Sequence, residues 1–216
     1  MTYPDVAQRS LYDVRDNNSY VVRKLADGNC WMTSNLKLKM SANTAVVASK
    51  NDGSTFSYNP GAACTSNGAC AINGNTVINT TYGGFYSWYA ATAGQGTASS
   101  TGDINGSICP AGWKLPYNYT ASNNKSYGGL LAAYGMPATN VNVNYVSTLE
   151  AMPLGFLRVG LYYSGSFINA GTSGDYWSST ASGAGTAYYL VYYTSLTHPQ
   201  DLRNNYSGLS VRCVAL

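Results

Sequence analysis

The chain has 216 residues, of which 45% are hydrophobic and only 10% charged, with a formal net charge of +3. This length fits one domain, 1–216, with a substantial buried core. Because the net charge is small and the basic residues are scattered, binding by phosphate neutralisation is not expected, which excludes nucleic acid as a partner. The 20 tyrosines and 23 glycines, with so few ions, are typical of an extracellular or cell-surface protein.

The N-terminal sequence Met-Thr-Tyr-Pro-Asp-Val has neither the basic region nor the apolar region of a signal peptide. No apolar run reaches the length of about 18 residues that a membrane-spanning helix needs. We therefore expect no direct membrane insertion of this sequence. Either the protein is cytoplasmic or an export signal or anchor lies outside this sequence, and the composition favours the second interpretation.

The first third of the chain predicts strands. The segments Leu11 to Arg15 and Tyr20 to Leu25 flank a turn-forming cluster and predict a β-hairpin. The alternating segment from Leu36 to Met40 predicts a strand with one apolar face. From about 41 to 81 the periodicity is lost, which predicts a loop-rich insertion.

The middle of the chain predicts a small amount of helix. Aromatic residues spaced three and four apart from Tyr82 to Ala91 favour a short helix or an aromatic strip in the core. The prolines near both ends of the stretch from Cys109 to Pro116 indicate a rigid corner rather than a central strand. Two further helices are expected, from Ser122 to about Tyr134 and from Val146 to Met152.

The C-terminal quarter dominates the prediction. Three β-prone runs begin at Asp175, Ala187 and Gly208, and two turn-rich gaps separate them, from Ala181 to Gly185 and from Leu196 to Ser207. The second gap is polar and has no obvious role in a core, so we interpret it as a display surface on a rigid frame. Strands at both ends and helix between them predict an α+β fold.

The cysteine count is odd, so at least one thiol is free or paired between chains. Cys64 and Cys70 enclose a short loop and would form a local bridge in an oxidising compartment. One long-range bridge is expected among Cys30, Cys109 and Cys213, whose pairing the sequence does not fix. Buried free thiols are the alternative interpretation.

Four motifs together resemble the Fibrobacter major paralogous domain family, over most of the chain from Leu11 to Leu216. They are Gly28-Asn29-Cys30-Trp31-Met32-Thr33, Ile108-Cys109-Pro110-Ala111-Gly112-Trp113-Lys114-Leu115-Pro116, Tyr176-Trp177-Ser178-Ser179-Thr180 and Ser210-Val211-Arg212-Cys213-Val214. The resemblance implies a C-type-lectin-like domain with paired N- and C-terminal strands, one or two helices and long loops that present a ligand.

Some domains of that kind are targets of diversity-generating retroelements, which randomise adenines near the 3′ end of a gene. Asn codons changed in their first two bases reach many residue types, but not Lys, Glu, Gln, Met or Trp. Positions occupied by reachable residues are Val191, Tyr193, Leu196, His198, Asp201, Leu202, Arg203, Asn204 and Ser207. The resemblance thus implies a variable protein of bacterial origin.

Tyrosines extend this predicted ligand surface, because a tyrosine offers a large contact area and a polar tip at little entropic cost. Tyr162 and Tyr163 are predicted to bind ligand, with Tyr189 and Tyr206 as further candidates, and packing into the core is the alternative for each. His198 is interpreted as a ligand contact rather than a metal ligand, since the chain has no other histidine and Asp201 is the only carboxylate nearby in the sequence. We predict no metal centre, although Asp13, Asp16, Asp27 and Asp175 are candidates for structural calcium or simply for turns.

Enzyme readings find little support. Glu150 is the only glutamate, no Gly-x-Ser-x-Gly elbow accompanies His198, and no close pair of reactive cysteines matches a sulfatase-modifying oxidase. We predict a non-enzymatic, variable receptor or adhesin-like domain without a cofactor, which binds a protein or glycan on another cell or surface. The alternative is a structural or appendage subunit with fixed assembly contacts; a degenerate oxidase is a third hypothesis.

Overall fold

The structure is a computed structural model that describes residues 7–38, 46–49, 55–60, 70–72, 82–118 and 125–216. Most of the predicted insertion, Cys64 and the predicted helix start at Ser122 lie outside the described residues. Within the described ranges, no helix has the length and apolar character needed to cross a membrane.

A five-stranded antiparallel sheet is built from both ends of the chain. Its strands are β1 (Arg9–Asp13), β2 (Asn18–Lys24), β3 (Cys30–Met32), β15 (Val214–Ala215) and β9 (Trp113–Lys114), in that spatial order. The β1–β2 hairpin confirms the first prediction, with Asp13 opposite Asn18. The corner after Cys109 supplies only the short edge strand β9, as its prolines required.

A second group of strands begins within the predicted insertion. It comprises β4 (Val46–Ser49), β5 (Thr55–Pro60), β6 (Cys70–Ile72) and β7 (Phe85–Tyr86), with β5 and β6 parallel. Strand β7 is joined to the C-terminal segment, because Tyr86 and Leu209 exchange backbone hydrogen bonds of 2.9 and 3.0 Å. Whether 41–81 is an insertion into one domain stays a prediction.

The central sheet is antiparallel, in the order β14 (Leu196–Asn204), β13 (Thr186–Tyr193), β12 (Gly174–Gly183) and β8 (Thr101–Asp103). The hairpin of β10 (Leu161–Tyr163) and β11 (Ser166–Ile168) lies beside it. Tyr162 in this hairpin pairs with Gly208, which joins the hairpin to the segment that follows β14.

Two hydrophobic clusters cover β12 and β13 from opposite sides. Trp177, Tyr189 and Val191 belong to one cluster, which also contains Trp88; the alternating residues Tyr176 and Leu190 belong to the other. This period-2 division is expected for a strand whose two faces are both buried. Trp31, Trp88 and Trp177 are all buried, and Trp113 packs partly buried against the first cluster.

The second cluster encloses Arg212, whose side chain is 1% exposed. Its guanidinium lies 4.2 Å from the Phe156 ring centre and donates hydrogen bonds to Asn35 Oδ1 (2.9 Å), Leu154 O (2.7 Å) and Gly155 O. Burial lowers the pKa of Arg212 from its ordinary value. Carbonyl and amide oxygens and aromatic faces thus hold this cation without a carboxylate partner in the described part of the chain.

The predicted α+β, C-type-lectin-like fold is wrong, because the described structure is mostly β with a curled antiparallel sheet. The helices within the described ranges are α1 (Trp88–Ala91), α2 (Tyr127–Ala133) and α3 (Val146–Glu150), and the longest of these three has 7 residues. Helix α2 begins at the cap Ser126 and ends before Gly135, whose φ of +73° is left-handed.

Two strand predictions are also corrected. The predicted strand from Leu36 is absent as far as Leu38, although these two side chains are buried and Lys37 between them is less so; Lys39 and Met40 lie outside the described residues. The polar gap from Leu196 is instead strand β14. It is an edge strand with Pro199 near a register shift, a position that tolerates polar residues and proline.

One long-range disulfide is present, between Cys109 and Cys213, with Cα atoms 5.9 Å apart. It joins the corner before β9 to the residue before β15, and these two strands are paired. Cys30 is free and exposed. The predicted Cys64–Cys70 bridge lies outside the described residues.

Candidate functional site

Four chain segments meet at one end of the central sheet. Thr186 begins β13 opposite Asn204, which ends β14. The turn before β13 holds Gly185, whose amide donates to Ala98 O at 2.7 Å and whose carbonyl accepts from Asn205 N at 2.9 Å. The φ of Gly185 is +76° with open space where a side chain would stand, so the backbone conformation alone favours glycine there.

An aromatic and cationic cluster lies on this end. The rings of Tyr163 and Tyr206 are stacked, with centres 6.1 Å apart and planes 20° from parallel. The guanidinium of Arg203 lies 4.8 Å from the centre of the Tyr163 ring. Asn204 Nδ2 donates to the Tyr206 hydroxyl at 2.8 Å. We call these four residues, Tyr163, Arg203, Asn204 and Tyr206, the tip cluster.

Two cavities flank the tip cluster and share Asn204. The larger has a volume of about 460 Å³, and the smaller about 220 Å³. The larger lies within the usual range for small-ligand sites of roughly 300–1,000 Å³. Its lining consists of Ala98, Ser99, Ala184, Gly185, Asn204 and Tyr206, whereas Tyr163, Thr186, Leu202, Arg203 and Asn204 line the smaller one.

The pKa values of Tyr206 and Asp175 are both raised from their ordinary values. The hydrogen bond with the Tyr163 side chain raises the pKa of Tyr206, so its phenol is neutral at physiological pH. Burial raises the pKa of the Asp175 carboxyl to about 6, while the 2.5 Å hydrogen bond from Ser173 and the charge of Arg203 act in the opposite direction. Asp175 therefore titrates close to the physiological range.

The other half of β14 carries a polar network with the segment at 138–144. His198 Nδ1 lies 3.3 Å from Asp201 Oδ2, and His198 Nε2 lies 3.2 Å from Asn142 Oδ1. Thr197 and Val141 exchange two backbone hydrogen bonds of 2.9 and 3.1 Å. His198, predicted as a ligand contact, thus takes part in a network that holds a neighbouring loop.

Side chains also occupy the backbone groups along the free edge of β14. Asn140 uses its amide like a strand residue: Nδ2 donates to Gln200 O (3.2 Å) and Oδ1 accepts from Gln200 N (3.0 Å). The Leu202 amide donates to Asp201 Oδ1 at 2.8 Å. These contacts obstruct the addition of another strand at this edge.

The predicted ligand-binding residues fall into two groups. The structure brings Tyr163, Arg203 and Asn204 together in the tip cluster, with Leu202 exposed beside them, and places Tyr193, Leu196, His198 and Asp201 toward the other end of β14. Val191 and Ser207 are buried, and so is Tyr189. Tyr162 is half-buried and packs on Phe167, with ring centres 5.0 Å apart.

Sequence reasoning did not select Thr186, Gly185, Ala98 or Ser99 as site residues. The first two adjoin a predicted turn, so their place at a strand end was a usable signal. Ala98 and Ser99 lie in a Gly- and Ser-rich stretch with no periodicity, and only the tertiary hydrogen bond from Gly185 to Ala98 brings them to the cavity.

The aspartates considered for calcium serve separate local structures. Asp13 pairs with Arg15 at 2.7 Å, Asp16 accepts from the Asn18 amide at 3.1 Å, and Asp27 accepts from Trp31 Nε1 at 2.8 Å. In the described part of the chain, no group of three or more His, Cys, Asp or Glu side chains converges on a potential metal position.

One known family matches most of the chain. The model of the Fibrobacter succinogenes major domain matches residues 26–215, a range that contains both cavities and all of the central sheet. No curated protein and no solved structure shows a significant match.

Proposed function

The chain belongs to the Fibrobacter succinogenes major domain family, as its four motifs predicted, and we propose that it is a non-enzymatic domain that binds a protein or glycan ligand. The observation that carries this proposal is the tip cluster between two cavities. A stacked tyrosine pair, a guanidinium and an amide on strand ends provide an aromatic surface with polar groups that fix orientation.

The surrounding frame supports a binding role. The side chains of Trp88 and Trp177 are buried in the first hydrophobic cluster, and Trp177 Nε1 donates to Tyr86 O at 2.7 Å. Tyr163 of the tip cluster packs against this hydrophobic cluster. The Cys109–Cys213 disulfide is typical of an oxidising compartment, which supports the proposed extracellular or cell-surface location. A binding surface with a ready-made geometry loses little entropy when the ligand arrives.

Diversification by a retroelement forms the finer part of the proposal. The side chains of Tyr193, His198 and Asp201 to Asn204 are at least partly exposed and belong to neither hydrophobic cluster, so substitution there leaves both cores intact. Leu196 is also partly exposed, but it packs against the first cluster, so only apolar replacements are expected there. Val191 and Ser207 are buried, and we leave them out of the variable set. Sequencing of residues 156–216 across a natural population tests this part: invariant residues along β14 would contradict it.

The blocked edge of β14 weighs against the alternative of an assembly subunit that grows by strand addition. The Asn140 side chain occupies both backbone groups of Gln200, and the Asp201 carboxylate occupies the amide of Leu202. A subunit that assembles by strand addition needs these groups free.

The binding proposal is tested on an array of defined glycans and cell-surface proteins. We expect Tyr206→Ala to weaken binding of the array ligand at least about tenfold, because tyrosine and arginine anchors carry most of the energy of an interface. Tyr12→Ala is the matched control, since Tyr12 is 56% exposed on β1 and lines neither cavity. Mass spectrometry should recover the ligand unchanged.

Two results would overturn the proposal. Equal loss of binding in Tyr206→Ala and Tyr12→Ala would remove the tip cluster as the site. A chemically altered ligand would show that the domain is an enzyme.

A further inference from the structure

Arg203 is placed to bind an anionic group. It is half-buried at the rim of the smaller cavity, and its Nε atom is buried without a hydrogen-bond partner in the described structure. The protein covers that atom, so a ligand oxygen would meet the terminal Nη atoms of the guanidinium, where a charged donor makes a stronger hydrogen bond than a neutral one. Resting on the function proposed above, we infer that the ligand is an acidic glycan whose carboxylate binds Arg203 while a sugar ring lies against Tyr206.

No carboxylate in the described part of the chain accepts a hydrogen bond from Arg203, although the charge of Arg203 acts on Asp175. Asp201 accepts from the Leu202 amide at 2.8 Å and contacts His198 at 3.3 Å. Asp175 is 1% exposed and accepts from Ser173 at 2.5 Å. The guanidinium therefore keeps donors for a ligand, and its planar fork matches the two oxygens of a carboxylate.

Tyr206 is placed to receive a sugar ring. It lines the larger cavity together with small side chains, Ala98, Ser99 and Ala184, that leave room above it. The hydrogen bond from Asn204 and the stacking on Tyr163 hold its ring in place. Because Asn204 lines both cavities, a ligand that reaches both Tyr206 and Arg203 passes over Asn204.

A glycan fits this site better than a peptide does. An extended peptide gains affinity by adding to a strand edge, and on β14 the groups it would need at Gln200 and Leu202 are already bonded to Asn140 and Asp201. The larger cavity is lined mainly by small residues such as Ala98, Ser99 and Ala184. It therefore offers no deep apolar pocket for an anchoring side chain.

The test compares trigalacturonic acid with its uncharged methyl ester by isothermal titration calorimetry. We expect the acid to bind about tenfold more tightly than the ester, since a charge-assisted hydrogen bond adds more than a neutral one. Arg203→Gln should remove that difference, and Arg9→Gln, which changes an exposed arginine on β1, should keep it. The side-chain guanidinium NMR signals of Arg203 should shift on addition of the acid and not of the ester.

A second variant separates a charge effect from structural damage. Asp201 lies two residues from Arg203 on β14, so its negative charge repels an acidic ligand. Asp201→Asn should tighten binding of trigalacturonic acid several-fold and leave the ester unaffected. A merely unfolded variant would lose both.

The possible outcomes separate this inference from the proposed function. Equal binding of acid and ester, both lost in Tyr206→Ala, would overturn the carboxylate inference and keep the binding site. Tighter binding of an acidic hexapeptide than of trigalacturonic acid would overturn it in favour of a peptide ligand. If the acid, the ester and the hexapeptide all fail to bind while an array ligand still depends on Tyr206, the acidic-glycan inference is overturned and the proposed binding function is kept.

Discussion

Asp175 shows how one buried residue makes stability depend on pH. It lies on β12 opposite Val191, and its carboxyl accepts a hydrogen bond from Ser173. Burial raises its pKa from 3.8 to about 6, with the nearby charges of Arg203 and Asp201 acting in opposite directions. The folded protein therefore binds a proton more tightly than the unfolded chain at this position.

The sign of the effect follows from this difference. Below about pH 4 the carboxyl is protonated in both states, and the full stability is present. As the pH rises to about 6, the unfolded chain releases its proton first, so the free energy of unfolding falls, by about 3 kcal/mol for a shift of this size. Above that range the loss is complete and constant.

Asp175→Asn should remove most of this pH dependence, because its amide does not titrate. We expect urea denaturation at pH 4.5 and 7.5 to give a smaller difference for the variant than for the native chain. Ser173→Ala should enlarge the difference, since it removes the hydrogen bond that favours the ionised carboxylate. Identical pH profiles for Asp175→Asn and the native chain would refute this assignment.

At the scale of the elements, we predict that the Asn140 side chain protects the backbone of the edge strand β14 at Gln200, as a neighbouring strand would. Asn140→Ala removes both hydrogen bonds to Gln200. We expect the Gln200 amide to exchange its hydrogen on the order of tenfold faster, because one hydrogen bond contributes about 1 kcal/mol. The Thr197 amide, which bonds to Val141 O, should be unaffected and serves as the internal reference.

Thr139→Ala, a change at the preceding exposed position, is the matched control for this variant. Unchanged exchange at Gln200 in Asn140→Ala would show that the amide is protected by something other than the Asn140 side chain.

The neighbouring strands β13 and β14 show where prediction from the sequence succeeded and where it failed. The aromatic run that forms β13 alternates between the two cores, and its β-propensity predicted it correctly. Strand β14 was predicted as a gap because His198, Asp201 and Arg203 lack an apolar alternation. These three side chains are only partly buried on an edge strand, so no apolar alternation is needed, and only tertiary pairing reveals the strand.

The helices were overestimated for a related reason. The aromatic spacing from Tyr82 to Ala91 fits a helical face, yet Phe85 and Tyr86 pair as strand β7 and only Trp88 to Ala91 are helical. In the candidate site, Arg203 and the tyrosines could be selected from residue type. The cavity that unites them with Ala98 and Ser99 depends on contacts across more than 80 residues of sequence, which local patterns do not contain.

At the scale of the whole molecule, the Cys109–Cys213 disulfide connects parts of the chain that are 104 residues apart. Closing such a long loop lowers the entropy of the unfolded chain, an effect of about 4–5 kcal/mol in the chain-entropy model. We expect the double variant Cys109→Ser, Cys213→Ser to lose about 2–5 kcal/mol of unfolding free energy in urea.

Cys30→Ser is the control for that experiment, because Cys30 is free and exposed and should be nearly neutral. Equal stability of the double variant and the Cys30 variant would contradict a structural role for the bond. A reductant added to the native chain should lower the unfolding free energy as much as the double substitution does, because both remove the same disulfide.

The central strand β12 is buried on both faces, and this has a consequence for protein engineering. Every residue from Gly174 to Ala181 is covered, partly by groups from the first third of the chain such as Met32. A peptide cut out around the tip cluster would expose both of these faces to water at once. The recognition surface is therefore not a portable module: grafting it into another scaffold requires a host that covers both sides of the donor strands.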